Sequence, residues 1–145
     1  MRAGRHVTRS EAETERVAAE LARELAAGTV ILLHGELGAG KTAFVRGVAS
    51  GRGLDPNEVS SPTFVVIQEY GDARLQHVDL YRLGPDEVDD LGLDELSEQG
   101  AVVCVEWAER WREPPPGAVT VRMTVVGEEE RELTVSGTPQ RPEVA

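Results

Sequence analysis

Residues 35–42, GELGAGKT, decide the fold. Gly35, Gly40, Lys41 and Thr42 satisfy the spacing G-x-x-x-x-G-K-[ST]. Glycines let the backbone fold tightly enough for successive amides to point inward as an anion nest. In this pattern Glu36, Leu37, Gly38, Ala39 and Gly40 would supply the backbone that surrounds the phosphates. Lys41 offers a compact ammonium to the β- and γ-phosphates, and the Thr42 hydroxyl is placed to ligate magnesium. Of the 15 basic residues, Lys41 is the single lysine and the rest are Arg. No N-K-x-D guanine-reading element can therefore be present, which favours ATP over GTP as the ligand.

The loop sits in the context that such a motif demands. Upstream, Thr29–His34 is a short continuous apolar run, expected of a strand buried on both faces of a parallel sheet. Downstream, Thr42–Ala49 puts Phe44, Val45 and Val48 on one helical face before Gly51 and Gly53 end the helix. Further out, Ser10 and Glu13 form a capping box that opens a helix carrying Val17, Ala18, Leu21, Ala22 and Leu25, closed by Gly28. Phe64–Tyr70 and Leu75–Leu80 read as a hairpin around Gly71-Asp72. Pro85–Gln99 reads as short helical turns with a solvated acidic face, and Ala101–Trp107 as a second buried strand. After the hard break Pro114-Pro115-Pro116-Gly117, Thr120–Val126 and Arg131–Val135 read as an antiparallel pair. These elements predict an α/β fold of the P-loop NTPase kind. Its central sheet is mixed and mainly parallel, flanked by helices, with an antiparallel C-terminal hairpin.

Composition bounds the function. The chain has 145 residues, 40% hydrophobic and 28% charged, consistent with one soluble domain over 1–137 and a polar, frayed tail over 138–145. No apolar run is long enough for a membrane span, and MRAGRH lacks the apolar stretch of a secretion signal. The single cysteine, Cys104, lies in AVVCV and reads as a buried inert thiol in a reducing, cytoplasmic compartment. Net charge is −11, and no basic stripe is evident, so direct nucleic-acid binding by this chain alone is not expected.

A P-loop enzyme needs an acid at the end of a strand near the loop, to hold magnesium directly or through water. Asp79 ends LQHV and Glu106 ends AVVCV, so either carboxylate can serve the metal and the other orient the attacking water. Each read alone can also be a plain strand-end acid. Thr63, in the Ser60–Thr63 segment, falls where related folds carry a nucleotide-sensing loop, although composition alone reads an ordinary turn. His34 and His77 read as core or edge histidines, since no spaced Cys/His cluster accompanies them. Trp107 and Trp111 are packing residues or partner contacts, which sequence does not separate. Three functions stay open on the residues: an accessory ATPase, a small P-loop kinase, or a nucleotide-dependent binding module.

Four segments taken together, GELGAGKT, SPTF, HVDLYR and VEWAER, give the chain a close likeness to one family. From about Thr8 to Val135 it resembles the TsaE (YjeE) family, small ATPases needed to make threonylcarbamoyladenosine in tRNA. The resemblance implies a P-loop α/β fold and Mg-dependent ATP hydrolysis that is weak alone and stimulated in a complex with TsaB and TsaD. It implies that those partners transfer the threonylcarbamoyl group and hold the tRNA, while the ATPase resets them between turnovers. By position, Lys41 and Thr42 match the family's phosphate and magnesium residues, Glu106 its magnesium-linked acid, and Asp79 its other essential carboxylate. Thr63 matches the nucleotide-sensing loop; Glu11 and Arg131 fall where a helix start and a late hairpin approach the nucleotide.

Overall fold

The computed structural model describes residues 4–36, 39–59 and 66–137. Leu37, Gly38, Thr63 and the tail 138–145 lie outside the described residues. Seven strands form one sheet: β1 (Gly4–Thr8), β2 (Val30–Gly35), β3 (Ile67–Tyr70), β4 (Leu75–Asp79), β5 (Val102–Glu106), β6 (Val119–Val125) and β7 (Arg131–Ser136). Their spatial order is β1-β7-β6-β2-β5-β4-β3. The central four, β6-β2-β5-β4, run parallel, and hairpins extend the sheet antiparallel at both ends. The expected α/β architecture and the antiparallel C-terminal pair are both present.

The helices are α1 (Glu11–Glu24), α2 (Lys41–Gly51), α3 (Pro85–Asp89) and α4 (Leu93–Glu98). One face of the sheet, carrying Ile31, Leu33, Cys104, Val121 and Leu133, packs with Leu21 of α1 and Phe44 of α2. The opposite face, carrying Val30, Leu32, Val78, Val103 and Val105, packs with Val88 of α3, Leu93 of α4 and Trp111. Trp111 is thereby a packing residue, 7% exposed. Strands apolar on both faces at the centre follow from this three-layer arrangement. Cys104 is fully buried, and that burial pushes its thiol pKa up, so it stays protonated and inert.

Ser10 caps α1 by accepting the Glu13 amide at 3.1 Å. Glu13 reaches back to the amide of Arg9 at 3.3 Å, one residue before the position a regular capping box uses. α1 ends at Glu24, earlier than Gly28, which instead makes the turn into β2. α2 ends at Gly51, as expected. A Cβ there would stand 2.4 Å from the Ala19 carbonyl oxygen, and one at Gly47 would stand 2.2 Å from that of Glu15. These two residues let α2 press directly against α1, which fixes the direction from which α2 meets the phosphate loop.

β1 was not expected. It forms the sheet edge by pairing with β7, from Gly4↔Val135 to Thr8↔Arg131. Its sequence, GRHVT, lacks an apolar period, so only the distant partner strand specifies it. Among the described residues no helix is long and apolar enough to cross a membrane.

Candidate functional site

β2 delivers the chain to the loop at the carboxyl ends of the parallel strands, the edge where open α/β sheets bind ligands. Gly35 pairs with Met123 of β6, and a Cβ at Gly35 would stand 2.9 Å from the Met123 carbonyl oxygen. Gly40 adopts φ 98°, the left-handed region that favours glycine, and directly starts α2. No side chain caps α2, so its first-turn amides, which no helix can satisfy internally, are available to an anion at its mouth. A cradle that excludes side chains at both glycines and ends in free amides fits a phosphate group.

Lys41 is 8% exposed, yet its ammonium is held in place. Nζ donates to the Gly35 carbonyl at 2.7 Å, lies 3.9 Å from Glu106 Oε1, and sits 5.4 Å from the centre of the Trp107 ring. Thr42, the next residue, is half-buried in the first turn of α2. Its hydroxyl and the Glu106 carboxylate are oxygen donors, the kind that a hard cation such as magnesium takes. Among the described residues no three His, Cys, Asp or Glu converge as a metal cage. Magnesium held by one or two protein oxygens and substrate phosphates requires no such cage.

The sheet order separates the two candidate acids. Glu106 ends β5, immediately beside β2, with Leu33 as its cross-strand partner. Asp79 ends β4, one strand further out, paired in register with Glu106. The two carboxylates thus share one face and one end of the sheet. Asp79 Oδ1 accepts the Tyr81 amide at 3.0 Å, and the Leu80 amide ties back to the Glu106 carbonyl at 3.1 Å.

His77 is the residue that the sequence reading left without a role. It is fully buried, and its Nε2 lies 2.6 Å from Glu106 Oε2. The signal was the spacing: His77 and Asp79 are two apart on one strand and so share a face. Trp107 is the second such residue. It adopts φ 58° directly after Glu106, a left-handed conformation that costs a non-glycine about 1–3 kcal/mol. That turn folds its ring over Lys41 and against Tyr81, with ring centres 4.9 Å apart. Arg110 lies over both rings, 6.0 and 5.6 Å from their centres.

A pocket of about 460 Å³ opens on the other side of Gly40 and Ala43. Glu11 and Thr14 of α1 and Arg131 of β7 line it, so both remote sequence candidates meet the start of α2. The Arg131 guanidinium also donates to carbonyls of its own hairpin, including Glu130 at 3.0 Å. Glu36 is exposed at the loop start, its carbonyl accepting the Ala39 amide at 3.0 Å.

His34, half-buried at the end of β2, has its pKa lowered below 6.5 by burial. The Arg122 charge lowers it further, Glu109 opposes, and Lys41 adds to the lowering. The folded value lies below the unfolded one, so the unfolded chain binds the proton first as pH falls. The stability from neutral His34 is therefore complete above about pH 6.5 and is lost below it. His34→Gln should lose less stability than the parent on acidification across that range, as read by urea unfolding at a series of pH values. Equal losses would show that His34 carries no such linkage.

Comparison with known proteins bears on the family and the fold. The family model described as "Threonylcarbamoyl adenosine biosynthesis protein TsaE" matches residues 8–133. A Bacillus subtilis protein named tRNA threonylcarbamoyladenosine biosynthesis protein TsaE is 41% identical over 135 residues, covering 91% of this chain and 84% of its own. A Treponema pallidum protein of the same name is 39% identical, covering 91% and 99%. The crystal structure of Bacillus subtilis YdiB superposes with a TM-score of 0.72 at 34% identity, over 92% of this chain and 84% of that one. With these likenesses agreeing along nearly its whole length, the chain belongs to the TsaE family of threonylcarbamoyladenosine biosynthesis proteins.

Proposed function

We propose that this protein is a magnesium-dependent ATPase that acts with TsaD and TsaB in the cytoplasm to form threonylcarbamoyladenosine in tRNA. One observation carries the proposal: the buried Lys41 ammonium lies between the Gly35 carbonyl and Glu106, at the mouth of a glycine cradle. In this reading Lys41 turns from the Gly35 carbonyl to the β- and γ-phosphates, while residues 36–40 and the first amides of α2 hold the phosphate oxygens. Thr42 and Glu106 would hold magnesium, which when bound neutralises charge on the phosphates. Asp79, in register beside Glu106, orients the attacking water. Glu11 and Arg131 contact the nucleotide from the pocket beside Gly40, and Thr63 senses the γ-phosphate. The net charge of −11 supports a division of labour in which the partners hold the tRNA.

Reconstitution tests this directly. TsaD and TsaB supplied with tRNA and the threonylcarbamoyl donor should make repeated rounds of product only with this chain and ATP. Product formation that proceeds equally without this chain would contradict the proposal. So would equal support from a Lys41→Ala chain.

A further inference from the structure

The fully buried His77 shares Glu106 with the phosphate loop. Its Nε2 lies 2.6 Å from Oε2, while Oε1 faces Lys41 Nζ at 3.9 Å. The three side chains are 0%, 9% and 8% exposed, so water screens none of these charges well. His77 Nδ1 is buried without a hydrogen-bond partner among the described residues. A neutral ring with its proton on Nε2 satisfies this arrangement, donating to the carboxylate and leaving no N–H stranded.

The geometry has a mechanical consequence. Lys41 must leave the Gly35 carbonyl to serve a phosphate, and an anion 3.9 Å away on the same side competes for it. The bond from His77 opposes closure of that gap, because it ties the second carboxylate oxygen to β4. We infer that His77 is a positioning residue: it holds Glu106 off Lys41 and keeps Oε1 turned toward the phosphate end of the site. This inference rests on the ATPase reading above.

Two measurements test it, one of them without nucleotide. In thermal unfolding of the nucleotide-free protein, His77→Leu should lower Tm by several degrees, because it leaves Glu106 buried without its donor. In the Glu106→Gln background the same change should cost less than half as much. In calorimetric titration with MgADP, His77→Leu should weaken binding about tenfold or more, since Glu106 then captures Lys41. His77→Gln keeps an N–H near the Nε2 position and should stay within about threefold of the parent. With ADP in the absence of magnesium, where Glu106 has no metal to hold, His77→Leu should likewise weaken binding and adding Glu106→Gln should restore it, a recovery that mere structural damage would not give.

An equal Tm loss in both backgrounds would overturn the inference. So would MgADP affinities for His77→Leu that match the parent. If the parent itself fails to bind MgADP while the unfolding effects remain coupled, the ATPase reading falls and the His77 anchor of Glu106 stands.

Discussion

Replacing Lys41 with Ala is expected to lower ATP turnover by about a thousandfold or more, with nucleotide binding weakened alongside. Lys41 is the single lysine of the chain, and its ammonium is held beside Gly35 at the start of the loop. Lys41→Arg should rescue little. A planar guanidinium is broader than the compact ammonium that the Gly35 carbonyl, Glu106 and the Trp107 ring surround. Phosphate release and calorimetric titration with MgATP check both variants. Activity of Lys41→Ala near that of the parent would remove the loop from the chemistry.

The second large effect is expected at Glu106. Glu106→Gln preserves shape and removes the charge, and it should cut turnover about a hundred- to ten-thousandfold. Affinity for nucleotide without magnesium should change much less, since the role proposed for this carboxylate is to hold the metal. Asp79→Asn should also slow turnover, with a weaker dependence on magnesium concentration. The reason is the sheet order: β5 lies against β2, whereas β4 is one strand further from the loop. Turnover measured across a magnesium series for both variants decides the assignment. A steeper magnesium dependence for Asp79→Asn would exchange the two roles.

Much of this was legible in the chain, for identifiable reasons. β2 and β5 announce themselves because central parallel strands are apolar on both faces, as in TVILLH and AVVCV. α1 is marked by Ser10 and Glu13, and the loop by Gly35, Gly40 and Lys41. Sheet order is a different matter. The more apolar AVVCV run already pointed to a central strand ending in Glu106, but the pairing that puts β5, and not β4, directly beside β2 is tertiary. β1 escaped because GRHVT is an edge strand whose partner, β7, lies at the far end of the chain. His77 looked like an ordinary buried histidine because its partner Glu106 stands one strand across and two residues further along. Gly51 was legible as the end of α2, whereas the backbone of α1 that presses on it was not.

The pocket beside Gly40 shows the same division. Glu11 opens a capped helix and Arg131 opens a strand, and nothing local joins them. Pairing of β1 with β7, through Thr8↔Arg131, brings the start of α1 against that strand and so assembles the pocket. An edge strand with almost no sequence signal thereby sets one wall of the candidate nucleotide site.

The most direct test of the central claim is phosphate release from MgATP by the purified protein, alone and with TsaD and TsaB. Slow magnesium-dependent release by the chain alone, a clear rise when both partners are added, and loss of both in Lys41→Ala are the expected results. No stimulation by the partners, together with transfer of the γ-phosphate to a metabolite instead of water, would contradict that claim.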